Sequence, residues 1–201
     1  MPKIGMQPIR RQQLIEATLN SINELGFAET SIQQIAQRAG VSTGIISHYF
    51  KGKNGLIEAT MRYLLQQLGE SVKLKKAQSG PTPEQRLMAI VHANFMAPQT
   101  DHAAMKVWLA FWANSLHQPE LHRLQQVNHH RLHSNLKYEF LKNLDQAEAE
   151  KAAQGLAALI DGFWLRGALM KEDINVSIAI EICQHYIQTQ LRSWTHNKEQ
   201  L

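Results

Sequence analysis

Two sets of side chains in this chain have types and spacings that suit chemistry. The first lies in residues 42–53, where Ser42, Thr43, Ser47, His48, Tyr49 and Lys53 crowd hydroxyl, imidazole and ammonium groups around a bare Gly44. Such groups donate hydrogen bonds to phosphate oxygens and to base edges. The second set is aromatic with one acid. Trp108 and Trp112 are one helical turn apart, with Phe111 adjacent, and Asp161 and Trp164 stand at i, i+3. A carboxylate inside Leu-Ile-Asp-Gly-Phe-Trp-Leu (159–165) is expensive unless paired. Aromatic faces, often with an anionic partner, recognise quaternary ammonium ions. Phe95 is a further candidate face for such a cage. Each set also has a plainer reading: a solvated polar face for the first, and ordinary core for the aromatics, with Asp161 paired to Arg166 or to a group of a second chain.

Other chemistries find less support. His129, His130 and His133 cluster, and His129 and His133 have the i, i+4 spacing of a two-point metal ligand. No carboxylate or cysteine stands beside them, the nearest being Glu139, so a solvated helix face is expected and no metal site. No nucleophile–base–orienter set, phosphate-binding glycine loop or carboxylate pair stands out, so the chain does not read as an enzyme and no cofactor is expected. The single cysteine, Cys183, excludes an intrachain disulfide, which fits a reducing cytosol, and reads as a packed thiol.

The elements that must position these residues are helical throughout. Ile15, Leu19, Ile22 and Leu25 recur at three- and four-residue spacing, and Gly26 can supply the left-handed residue that ends a helix. Thr30 or Ser31 then caps a short helix over 32–39, broken by Gly40, and Ser42 is placed to cap another over 43–50. A long helix follows over about 53–77. Ser79-Gly-Pro-Thr-Pro83 interrupts the chain, with Thr82 and Gln85 at the spacing of a capping box and Pro83 at the first helical position. Further helices are expected over about 83–96, 101–117, 120–143, 146–170 and 175–196. The fold class is therefore all-α with nine helices. Residues 31–50 have the layout of a helix-turn-helix: small Ala36 for close crossing, Gly40 for the turn, and Ile35, Val41 and Ile46 to close a core, with Ile46 and Phe50 as core residues.

The charge is uneven. Residues 1–76 hold ten Lys and Arg against five acids, and the rest of the chain eleven against twelve, within a net charge of +4. A basic head on a near-neutral body suits a polyanion. No apolar run approaches the roughly 18 residues of a membrane span, since the longest, over 155–169, contains Asp161 and Arg166. Arg10-Arg11 is followed by Gln12, Gln13 and Glu16 rather than an apolar region, so no twin-arginine export signal is expected, and the chain is expected in the cytoplasm.

The run Thr30-Ser-Ile-Gln-Gln-Ile-Ala-Gln-Arg-Ala-Gly-Val-Ser-Thr-Gly-Ile-Ile-Ser-His-Tyr-Phe-Lys-Gly-Lys-Asn-Gly-Leu56 resembles the signature of TetR-type repressors. Met105-Lys-Val-Trp-Leu-Ala-Phe-Trp112, His117-Gln-Pro119 and Gly155-Leu-Ala-Ala-Leu-Ile-Asp-Gly-Phe-Trp-Leu-Arg166 are similar to the choline-responsive members of that family. The resemblance implies a helix-turn-helix domain over 1–52 and a ligand-binding and dimerisation domain over 53–201, joined through a connector helix at about 53–77. It places Thr43 and Gly44 where bases are approached, with Ser42 before them and Ser47, His48 and Tyr49 following, Lys53 on a phosphate, and Thr30 and Ser31 at a backbone contact. Arg10, Arg11 and Lys3 lie on the N-terminal arm and first turn. Because 43–50 contains no Lys or Arg, specificity must come from few base contacts and DNA shape. The resemblance further implies a double-stranded operator with an inverted repeat and a homodimer formed through the last two helices. On the dimer face it suggests Ala152, Ala153, Leu156, Ala157, Leu159 and Ile160, with Ile178, Ile182, Tyr186 and Trp194; the alternative is that all of these face the chain's own core. It implies choline or a similar small cation as effector, held by Phe95, Trp108, Phe111, Trp112, Asp161 and Trp164, and control of choline uptake and glycine betaine synthesis. A regulator of another cationic or amphipathic compound, such as a multidrug sensor, is the alternative.

Overall fold

The computed structural model describes residues 6–96, 102–170 and 174–198, with side chains described over 7–96, 104–170 and 174–192. Lys3, the breaks expected near 98–101 and 171–173, and the Trp194 side chain lie outside the described residues. The described residues form nine helices and no strand: α1 (Met6–Leu25), α2 (Ile32–Arg38), α3 (Thr43–Phe50), α4 (Lys53–Gln78), α5 (Pro83–Asn94), α6 (His102–Ser115), α7 (Pro119–Phe140), α8 (Gln146–Leu169) and α9 (Val176–Lys198). Packing divides the chain into two units, Met1–Gln66 with Lys106–Gln125, and Gln67–Met105 with Gln126–Leu201. The chain order of head, connector and body is thus not the order of packing: α4, α6 and α7 each contribute residues to both units.

In the first unit, Leu14, Ala17, Ile35, Ala36, Ile46, Phe50 and Leu56 form the core that holds α1 to α4 together, with Val41 and Tyr49 packed on it. Gly40 takes φ +64°, which the turn between α2 and α3 requires, and Val41 N donates to Ala36 O across it at 3.0 Å. Gly26 likewise ends α1 at φ +81°. Ser31 caps α2 through a reciprocal box with Gln34. Arg11 is a structural residue rather than a free basic arm: its guanidinium donates to Tyr49 O at 2.9 Å and lies 4.5 Å from the centre of the Phe50 ring. Gly55 is required by close approach, since a Cβ there would fall 1.9 Å from Phe50 O.

In the second unit, α8 and α5 both pack on α9. The capping box expected at Thr82 and Gln85 is formed, with Pro83 opening α5. Gly155 leaves room for Tyr186, whose hydroxyl donates to Ala152 O at 3.3 Å. Glu139 of α7 is fully buried and held by Lys76 of α4 at 2.7 Å and by Lys142. Burial pushes its carboxyl up, but the hydrogen bonds and charges of Lys142 and Lys76 win and hold it below the ordinary range. Burial also pushes the Cys183 thiol up to about 11, so it stays protonated in the packing between helices.

The structure corrects the expected small-residue dimer face. Ala152, Ala153, Leu156, Ala157 and Ile160 are all buried in the chain's own packing. The large apolar residues left open on these helices are Leu165 and Leu169 on α8, which the sequence did not single out, and Ile178 and Ile182 on α9, which it did. The periodicity of α8 offers several apolar arcs, and only its packing on α9 shows which one is already used.

Candidate nucleic-acid interface and effector region

The N-terminal ends of α2 and α3 enclose an open groove of about 500 Å³ lined by Ser31, Ile32, Gln33, Thr43, Gly44, Ser47 and Lys53. Five of the residues singled out in the sequence therefore meet at one place: Ser31, Thr43, Gly44, Ser47 and Lys53. The local reasons are the Gly40 turn and the shared core of Ile35 and Ile46, which fix α2 against α3. Two helix N-termini open beside the groove, that of α3 without a side-chain cap, a favourable setting for anionic oxygens. Thr43, Gly44 and Ser47 are exposed. Lys53 places its ammonium 5.9 Å from the centre of the Phe27 ring, which steadies the long side chain.

Gly44 is not a structural glycine. Its backbone is not in the left-handed region, and an added Cβ would meet only Ser42 Oγ, at an ordinary 3.9 Å. Ser42 takes the N-cap position of α3 but makes no side-chain cap bond, contrary to the capping role expected, so its exposed hydroxyl is available to another acceptor or donor. His48 is exposed and Tyr49 half-buried, with their rings edge to face at 5.0 Å; neither lines the groove. Thr30 is corrected as a side-chain contact: it is 1% exposed, and its hydroxyl donates to Gly26 O at 2.7 Å, tying down the end of α1.

The residues expected around a cation divide between the two units. Trp108, Phe111 and Trp112 belong to the first. Trp108 and Phe111 are buried edge to face at 5.7 Å, and Phe111 borders a tight apolar space too small for water, shared with Phe27, Ile57 and Met61. Trp112 differs: its indole N–H is shielded from solvent and finds no acceptor among the described residues. Phe95, Asp161 and Trp164 belong to the second unit. Phe95 is buried edge to face against Phe163 at 6.1 Å, and Trp164 is buried. Asp161 keeps an open edge to solvent, yet the protein around it displaces enough water to push its carboxyl up, with His129 of α7 pulling the other way. No hydrogen bond or ion pair satisfies Asp161 among the described residues, so the expected alternative of an Arg166 partner is not seen within the chain.

Sequence reasoning missed three participants. Gln33 and Ile32 line the groove from α2, where attention to the reading helix alone passed over them. Their positions in the first turn after the Ser31 cap were the available signal. The histidine cluster is also more than a solvated face: His133 Nε2 lies 2.9 Å from Glu150 Oε1, and Lys137 Nζ lies 2.7 Å from Glu150 Oε2, so α7 is cross-linked to α8. Glu150 is seventeen positions beyond His133, out of reach of any spacing rule within one helix. His129 and His133 stack at 6.2 Å, and among the described residues no three metal-ligating side chains converge.

Residues 14–60 match the family described as bacterial regulatory proteins, tetR family, and residues 83–192 match the BetI-type transcriptional repressor, C-terminal, family. The HTH-type transcriptional regulator BetI of Serratia proteamaculans is 63% identical over 196 residues, covering 97% of this chain and 99% of that protein. The regulator of the same name from Pectobacterium atrosepticum is 60% identical over 192 residues, covering 95% and 98%. Among solved structures, a transcriptional regulator from Pseudomonas aeruginosa superposes with a TM-score of 0.81 at 27% identity, over 95% of this chain and 94% of that one. A transcriptional regulator from Saccharomonospora viridis, solved in complex with choline, shares the fold with a TM-score of 0.79 at 19% identity, over 90% and 96%.

Proposed function

Because the chain belongs to the tetR family of bacterial regulatory proteins, with a BetI-type repressor C-terminal region, we propose that this DNA-binding repressor answers to choline. Its targets on this reading are genes for choline uptake and for the oxidation of choline to glycine betaine. The relatives are transcriptional regulators, and the chain is one of them rather than an enzyme. Two copies pair through the open apolar residues of α8 and α9, namely Leu165, Leu169, Ile178 and Ile182, and so present two reading helices to an inverted-repeat operator. Thr43, Gly44 and Ser47 approach base edges, while Lys53, Ser42 and the N-terminus of α2 at Ser31 hold phosphates. His48 extends the contact from the exposed side of α3.

The observation that carries the effector reading is Asp161, a carboxylate inside an apolar run, partly desolvated by the protein around it and without a hydrogen bond or ion pair among the described residues. A small cation that sheds water easily, with a diffuse charge, satisfies such a group better than a strongly hydrated one. Trp164 and Phe95 supply apolar surface in the same unit. Trp112, with its unpaired indole N–H, is a second candidate contact and is tested separately. A ligand acts on DNA only by binding two states of the protein unequally. The helix α4 is one continuous element with residues in both units, which makes it the route for that effect. The coupling is expected at about 1–3 kcal/mol.

The test is titration of choline into the purified protein with tryptophan fluorescence as readout, followed by operator binding with and without choline. Asp161→Asn keeps the shape, removes the charge, and should bind operator while losing most of the choline response. Trp108→Leu and Trp112→Leu report whether those aromatics belong to the site. Full choline response in Asp161→Asn overturns the assignment. A response to bulky cationic dyes without one to choline favours a multidrug sensor instead.

A further inference from the structure

We propose that Gln33 of α2, outside the reading helix, is a specificity-determining residue that reads an adenine in each operator half-site. This rests on the operator-binding reading above. The groove at the ends of α2 and α3 contains seven residues, and their chemistry is unequal. Ile32 is apolar, and Gly44 has no side chain. The Ser31 hydroxyl is committed to Gln34 in the capping box, with Oγ and Oε1 2.8 Å apart. Thr43 and Ser47 carry hydroxyls, which rotate and serve as donor or acceptor to any base. Lys53 is a point charge, suited to phosphate rather than to a particular base. Gln33 alone in the groove presents a donor and an acceptor on one rigid plane.

That plane matches the adenine edge in the major groove, where N6 donates and N7 accepts. Gln33 is exposed, and no hydrogen bond among the described residues occupies its amide. It sits in the first turn of α2, directly after the cap, so its backbone position is fixed by the Ser31–Gln34 box while its side chain stays free. The neighbouring Gln34 has the same amide but spends its oxygen on Ser31 N and Oγ, both at 2.8 Å. Of two adjacent glutamines, one builds the helix end and the other faces the groove. With no Lys or Arg in α3, an amide from the preceding helix adds a fixed two-point pattern that the reading helix lacks.

The experiment selects an operator from a randomised duplex library with the wild-type dimer. It then measures Kd for a panel carrying each symmetric single base-pair change, using wild type, Gln33→Ala and Gln33→Glu. Wild type should prefer A·T at one position by roughly 5- to 150-fold per half-site, the range of a good bidentate pair, so a symmetric change there should raise Kd by about 30-fold or more. Gln33→Ala should lose that preference there and keep the discrimination elsewhere. Gln33→Glu, an acceptor only, should shift the same position toward cytosine. Because Gln33 is exposed, both variants should melt with wild type. A uniform loss across the panel would mark a phosphate contact and overturn the proposal, as would an unchanged panel. Failure of the wild type to select any operator would overturn the underlying DNA reading, a result distinct from either.

Discussion

Replacing Gly44 by Ala separates a glycine kept for the fold from one kept for DNA. The residue is second in α3, its backbone is helical, and the new Cβ would lie 3.9 Å from Ser42 Oγ with nothing closer. The protein therefore has room for the methyl group. Gly→Ala in a helix stabilises by about 0.5–1 kcal/mol, which at roughly 2–4 °C per kcal/mol for a chain of this size raises Tm by about 1–4 °C. Bound to DNA, the same methyl group enters the groove floor shared with Thr43 and Ser47. Overfilling a close contact costs about 1–3 kcal/mol. With two heads per operator, the loss doubles to about 2–6 kcal/mol, a rise in Kd of some 30-fold or more. The assay pairs a thermal melt with fluorescence anisotropy on a selected operator at one fixed salt concentration. A variant that is more stable yet binds operator at full affinity would refute the reasoning, and one that melts early would refute the steric reading of the site. Gly55→Ala is the internal contrast: its Cβ would collide with Phe50 O, so it should lose stability outright.

Lys53→Ala should weaken binding to all sequences alike and lower the slope of log K against log salt by roughly one unit, as removal of one phosphate contact does; a change confined to certain bases would contradict it. Glu139→Gln removes the charge that Lys76 and Lys142 share, and should cost on the order of 3 kcal/mol in urea unfolding at neutral pH. Since the Glu139 carboxyl is held below the ordinary range in the folded state, its contribution is present above the unfolded pKa and is lost as pH falls through the folded one. The variant should therefore lose less stability than wild type on acidification, and an equal loss would contradict the ion pair. Ile182→Lys places a charge on the open face of α9 and should shift the molecular mass measured by light scattering from dimer to monomer, with the helical circular dichroism retained. A dimer that persists in Ile182→Lys and in Leu165→Lys would move the interface elsewhere.

Much of the fold follows from the residues in chain order. Short-range rules fix the helices, because a helix is closed by bonds between near neighbours. Gly26 and Gly40 at positive φ, the box at Thr82–Gln85, and the head core of Ile35, Ala36, Ile46 and Phe50 are all readable from spacing and residue type. So is the meeting of Thr43, Gly44, Ser47 and Lys53, since a two-helix turn of fixed length leaves α3 little choice of position. What the sequence alone does not decide is the occupant of each helix face. Gly44 and Gly55 look alike in sequence, and only the distance to Phe50 O shows that one is structural. Thr30 and Ser31 are both fit to cap, and only burial shows that Thr30 turns inward to Gly26. The alanines of α8 could face a second chain or their own, and the packing of α9 takes them. Glu150 reaches His133, and Lys76 reaches Glu139, from helices far apart in sequence. Asp161 offers a charge in an apolar run, but only its surroundings show that none of the described residues bonds it. These are long-range outcomes, set by which faces meet when the helices pack, and helical periodicity constrains them only to within an arc.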